Sequence, residues 1–130
     1  MQEERLELLE KENLELKNRV ELLEFRLEML AVNTNISRLL FEYKITKKQY
    51  DEIMDLMDEF RTKIDKHEDV EHVIFEKQIE RITANMDYHF AEDIARAFME
   101  DGRWEEVFPA LYGSMQKYKY YMENKRKGDN

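Results

Sequence analysis

The stretch RLELLEKENLELKNRVELLEFRLEML, residues 5–30, decides the fold. Leu6, Asn13, Val20 and Leu27 stand seven apart, and Leu9, Leu16, Leu23 and Leu30 follow three residues behind each of them. With the first set at position a of a heptad and the second at d, leucine holds every d position. A repeat of 3.5 residues is what lets two helices close along one seam. Asn13 is the single polar residue among the a positions. An asparagine buried there bonds its counterpart only in a parallel, in-register pair, which costs stability but selects that state. The flanking positions agree. Position g holds Arg5, Glu12, Arg19 and Arg26, and position e holds Glu10, Lys17, Glu24 and Ala31. In a parallel dimer g faces the next e of the partner, so Arg5–Glu10, Glu12–Lys17 and Arg19–Glu24 all meet with opposite charge. The a/d spacing alone also fits an amphipathic helix laid on its own domain. Asn13 and the three matched pairs favour a parallel dimeric coiled coil over residues 1–31, with Leu6, Leu9, Asn13, Leu16, Val20, Leu23, Leu27 and Leu30 as its interface.

A second apolar stripe begins halfway along this helix: Leu22, Phe25, Met29, Val32, Ile36 and Leu39. It lies on the c/f side, away from the seam, and such a face needs something to cover it. Residues 32–122 are therefore expected to form a helical bundle packed on the back of residues 22–40, with a kink or break at Asn33-Thr-Asn35. Thr46-Lys-Lys-Gln49 has the pattern of a capping box and opens a helix to about Lys66, with Tyr50, Ile53, Met54, Met57, Phe60 and Ile64 inward. Further helices are expected over about 70–84, with Val73, Ile74, Ile79 and Ile82 apolar, and over about 88–101, capped by Asn85 or Asp87 with Phe90, Ile94, Ala97 and Phe98 inward. Gly102 suits a left-handed position after a helix. A last helix is expected over 104–122, kinked by Pro109, with 123–130 a polar tail. The fold class is all-α: a long N-terminal coiled-coil helix leading into a small bundle of about four further helices.

Composition points the same way. Charged residues make up 39% of the chain, with only 3 glycines and 1 proline, so the elements are few and long. Val/Ile/Thr alternation bounded by turn residues is missing, which argues against strands. There is no cysteine, hence no disulfide, thiolate metal site or cysteine nucleophile. No apolar run reaches the roughly 20 residues of a membrane span, and the charged start is unlike a signal peptide, so a cytoplasmic location is expected. The net charge is −9, unevenly spread: residues 49–116 carry 18 acidic and 7 basic groups. Such a middle repels a phosphate backbone and attracts a basic surface.

Arg19-Val-Glu-Leu-Leu-Glu-Phe25, the Ile45-Thr-Lys-Lys-Gln49 helix start with Ile53-Met-Asp-Leu56 after it, and His89-Phe-Ala-Glu-Asp-Ile-Ala95 followed by Asp101-Gly-Arg-Trp-Glu-Glu-Val-Phe108 resemble the YhaI-like family, small all-helical proteins of Bacillus-type bacteria and their phages. The likeness covers residues 19 to about 120. It implies a helical, oligomeric fold and carries no activity with it. This chain departs by a zipper extended about two and a half heptads ahead of the likeness, and by Lys44 where a glycine-like turn residue is expected.

Chemical constellations are sparse. Glu68, His72, Glu76 and Glu80 share a helix face at four-residue steps, and Asp69–His72 and His89–Glu92 echo a carboxylate–histidine metal pattern. A solvated charged face explains them more simply, so no metal or other cofactor is expected. Ser37 and Ser114 lack a nucleophile-elbow context, and there is no phosphate-cradling glycine loop. Lys44, Lys47 and Lys48, and Lys117-Tyr-Lys-Tyr-Tyr121 with Lys125-Arg-Lys127, could hold a single strand by stacking and charge. Against an acidic chain this is the weaker reading, as Tyr118 and Tyr121 also fit packing. Trp104 reads as a helix-junction residue.

The function expected is a non-enzymatic, homo-oligomeric protein-interaction module with an acidic helical surface. Candidate partner contacts are Asp51, Glu52, Asp55, Asp58 and Glu59, with Glu100, Asp101, Glu105 and Glu106. The alternative is an acidic phage- or prophage-type inhibitor whose carboxylates occupy the basic groove of a nucleic-acid-handling enzyme, such as a MazF-type toxin endoribonuclease.

Overall fold

The structure, a computed structural model, describes residues 1–85 and 87–128, with the side chains of Tyr88 and residues 126–128 left aside. Seven helices and no strand occur among the described residues. They are α1 (Gln2–Val32), α2 (Asn35–Glu42), α3 (Lys47–Asp65), α4 (His72–Thr83), α5 (Tyr88–Glu100), α6 (Val107–Tyr112) and α7 (Gln116–Gly128). No helix among them is long and apolar enough to cross a membrane.

Helix α1 runs unbroken for 31 residues and stops where Asn33 turns left-handed, at φ 53. Asparagine tolerates that conformation better than most residues. The break at 33–35 is sharp because Thr34 then caps α2. Its hydroxyl accepts from Ser37 N, and Ser37 Oγ accepts from Thr34 N. Asp101 reinforces this start from across the fold, accepting from Asn35 N at 3.0 Å and Ile36 N at 2.8 Å. The turn redirects the second stripe. Ile36 and Leu40 are buried, whereas Val32 stays exposed instead of joining Phe25 inside.

The Thr46–Gln49 capping box is present in both directions. Lys44, in the turn ahead of it, has φ 56, so a lysine occupies a left-handed position there. Gly102 is left-handed at φ 77, and Asp87 caps α5 through His89 N.

The hub is α5, which packs against α2, α4 and α6, while α3 closes the bundle against α4 and α6. Phe90, Ala91, Ile94, Ala95, Ala97, Phe98 and Met99 are buried, so α5 is apolar on most of its circumference, as a central helix must be. The apolar residues of α4 divide between core and surface, and the expectation of one continuous last helix is corrected. On α4 the inward residues are Phe75 and Ile79, while Val73 and Ile74 are close to half exposed. Phe75 stacks edge-on against Phe60 at 5.2 Å, and the helical period from Phe75 through Ile79 carries Val73 to the far side. The last helix is also not continuous. Residues 101–106 form turns, with Trp104 left-handed at φ 46, and a second turn at 113–115 separates α6 from α7. A side chain at Gly113 would lie 2.5 Å from the Pro109 carbonyl, so only glycine fits where the chain leaves α6. The expected tail is helical through Gly128, and positions 129–130 lie outside the described residues.

Candidate interaction surfaces

Helix α1 carries two apolar faces with opposite fates. Phe25 is buried in the bundle core, with Met29 packed partly against it. The seam residues Leu6, Leu9, Leu16, Val20, Leu23, Leu27 and Leu30 are between 50% and 65% exposed, and Asn13 is exposed beside them. Every residue from Met1 to Glu21 is exposed, so the first turns project from the bundle with both flanks of the seam open. The charged groups at g and e, from Arg5 to Glu24, are exposed as well. Arg26 ends the series. Its guanidinium lies over the Phe41 ring at 4.6 Å and donates to the Phe41 carbonyl at 3.4 Å, tying α1 to α2.

The acidic residues fall into two groups. Glu52, Asp55 and Glu59, spaced along one face of α3, line a shallow groove against Gln78 and Arg81 of α4, with Leu56 and Ile82 at its base. Asp51 is exposed on the same helix, and Glu105 is exposed in the α5–α6 turn. The other four are committed within the fold. Asp58 accepts from the Trp104 indole at 2.8 Å, Glu106 pairs with Arg61 at 2.6 Å, Glu100 accepts from the Tyr121 hydroxyl at 2.6 Å, and Asp101 caps α2. The Trp104 junction explains two of these bonds. Its ring is stacked edge-on with Phe98 at 4.9 Å and covered by Arg61 and Arg103.

Glu92, which the sequence offers only as half of the His89–Glu92 pair, is a carboxylate 3% exposed. It accepts from Lys117 Nζ at 2.9 and 3.0 Å and from the Tyr118 hydroxyl at 2.5 Å, with His89 Nδ1 3.7 Å away. Burial pushes its pKa up, but Tyr118, Lys117 and His89 together outweigh that and hold it below the ordinary carboxylate range. Burial and the same bond push the Tyr118 phenol up, and burial with Glu100 pushes Tyr121 up to about 12. Neighbouring Asp93 is raised, first by its own burial. The sequence signal for this cluster is slight, because Glu92 is one of several polar residues on α5, beside His89, Asp93 and Arg96.

Tyr118 is engaged by Glu92 and Tyr121 by Glu100, while Lys117, Lys119 and Tyr120 are exposed, so the C-terminal aromatics do not line up as a platform for bases. His72 lies against the Tyr112 ring at 5.7 Å, while Glu76 accepts from the Tyr112 hydroxyl. Among the described residues no group of three or more His, Asp or Glu side chains is placed to hold an ion.

No protein-family model matches the chain, and no curated protein or solved structure matches it either. The likeness to the YhaI-like family therefore rests on the sequence segments quoted above.

Proposed function

We propose that the protein is a non-catalytic interaction module that pairs through α1 and offers the acidic face of its bundle to a basic protein. The observation that carries this reading is the seam: an apolar stripe four heptads long, interrupted only by Asn13 and at least half exposed throughout, which stays open even where the opposite face of the helix, at Phe25 and Met29, is covered by its own bundle. Apolar stripes of that length are covered in solution. A second copy fits because its e and g charges complement this one's, and Asn13 finds its mate in parallel register. Two copies joined this way carry their bundles at the same end of the coil, on its outside.

The groove formed by Glu52, Asp55 and Glu59 favours a basic occupant, since three carboxylates face one arginine there. The inhibitor reading is a special case of this, in which the basic surface is the nucleic-acid groove of an enzyme.

Sedimentation equilibrium across the micromolar range tests the pairing: a dimer is expected, and a monomer at every concentration would refute it. Capture from a lysate at low ionic strength, run beside a Glu52→Lys, Asp55→Lys, Glu59→Lys variant, tests the acidic face. A basic partner retained by the native chain, lost from the variant and released by salt is expected. Partners indifferent to both changes count against it.

A further inference from the structure

We infer that the outer half of α1, about Gln2–Lys17, is helical only when a second copy covers it, so that this part of the protein folds by assembling. The inference rests on the pairing proposed above and adds to it a coupling between oligomeric state and helix content. Three observations carry it. First, this segment has no support from its own chain: each of its residues is exposed, and the α1 side chains that reach the bundle core begin beyond it, at Phe25. A helix without tertiary contacts is marginal in water at this length. It escapes the cost of nucleation by continuing from an anchored helix, but each added turn gains little. Second, the anchor is local and strong. Phe25 is buried and Arg26 is tied to Phe41, so the chain from Leu22 onward has reason to stay folded alone. Third, the groups that specify the partner lie at or before Glu24: Asn13 and the three g–e pairs, against Ala31 opposite Arg26 in the last heptad. The segment that gains most from a partner thus holds most of what encodes that partner and its register, namely Asn13, Arg5–Glu10 and Glu12–Lys17, with Arg19–Glu24 just beyond it.

Separating the chains should therefore melt the stalk and spare the bundle. The protein contains its own reporter for the second part, because its single tryptophan, Trp104, is packed at the far junction between α3, α5 and α6. The experiment is a dilution series of the full chain, followed by sedimentation, far-ultraviolet circular dichroism and Trp104 emission. A Leu9→Lys, Leu16→Lys variant serves as the monomer where dilution does not dissociate the native protein. The expected result is loss of roughly a sixth of the helical signal on passing from dimer to monomer, with Trp104 emission unchanged. A dimer that dissociates with helix content constant would overturn the coupling and leave the pairing intact. Trp104 emission shifting together with helix content would also overturn it, since the whole chain would then fold as one with assembly. A native chain that stays monomeric at every concentration removes the pairing itself, and the coupling with it.

Discussion

Glu92 is the residue at which pH should act first on stability. Its folded-state pKa lies below its ordinary value of 4.5, so its stabilising effect is complete above that value and drains away as pH falls through the folded one. Asp93 is shifted the other way and works in the opposite sense, favouring the folded state at low pH. Glu92→Gln separates the two. The substitution should cost about 2 kcal/mol at neutral pH, in line with a hydrogen-bonded buried charge, and the difference from the native chain should shrink towards pH 3. Denaturant titrations at a series of pH values would show this, and a gap independent of pH would contradict it. Lys44 makes a second residue-scale case. A left-handed lysine costs about 1–2 kcal/mol, while glycine gives back part of that through unfolded-chain entropy. Lys44→Gly should therefore stabilise the bundle by about 0.5–1 kcal/mol, measurable as a raised unfolding midpoint.

At the scale of the element, α1 and α3 were the most legible parts of the chain. The long N-terminal helix, the Thr46–Gln49 box and the Gly102 turn are written in local signals, and local geometry reproduces them. What was not legible depended on contacts between distant segments. Phe75 displaces Val73 and Ile74 because Phe60 waits on α3, which periodicity within α4 does not reveal. Glu92 reads as one more acidic residue until Lys117 and Tyr118 arrive from 25 residues away. Four of the nine candidate acidic contacts proved to be engaged with distant segments, and Glu59 also pairs with Lys63 on its own helix; no property of an isolated Asp or Glu marks the distant bonds in advance. Of these, Asp101 serves an element rather than itself. Asp101→Ala should cost about 1–2 kcal/mol by leaving the first two α2 amides without their acceptor while the Thr34–Ser37 box remains, and hydrogen exchange should rise first at Asn35 and Ile36, whose amides donate to it. On α1 the element-scale prediction concerns Asn13. Asn13→Leu should raise the thermal stability of the proposed coil while admitting higher oligomers, visible as mixed masses in sedimentation.

For the whole molecule, the charge distribution matters more than any pair. The net charge of −9 concentrates between residues 49 and 116, so association with a basic protein should be steered over distances of a Debye length, about 8–10 Å. The association rate should fall steeply between low and physiological salt, while dimerisation through the apolar seam should change little. Stopped-flow mixing and sedimentation at matched salt concentrations would separate the two.

Helix α1 also acts as a phase lock. It passes without interruption from the projecting stalk into the bundle, so the angle between the seam and the face holding Phe25 is written into residue count alone. Each added residue rotates everything ahead of it by about 100°. Two residues inserted between Lys17 and Val20 would swing the stalk's seam through more than half a turn, pointing it towards the side the bundle occupies. Seven would restore the original bearing to within about 20°. In the proposed dimer the distance from the bundle to the tip of the stalk is thus free to vary only in whole heptads, and the relative orientation of the two copies would be set by arithmetic in the sequence.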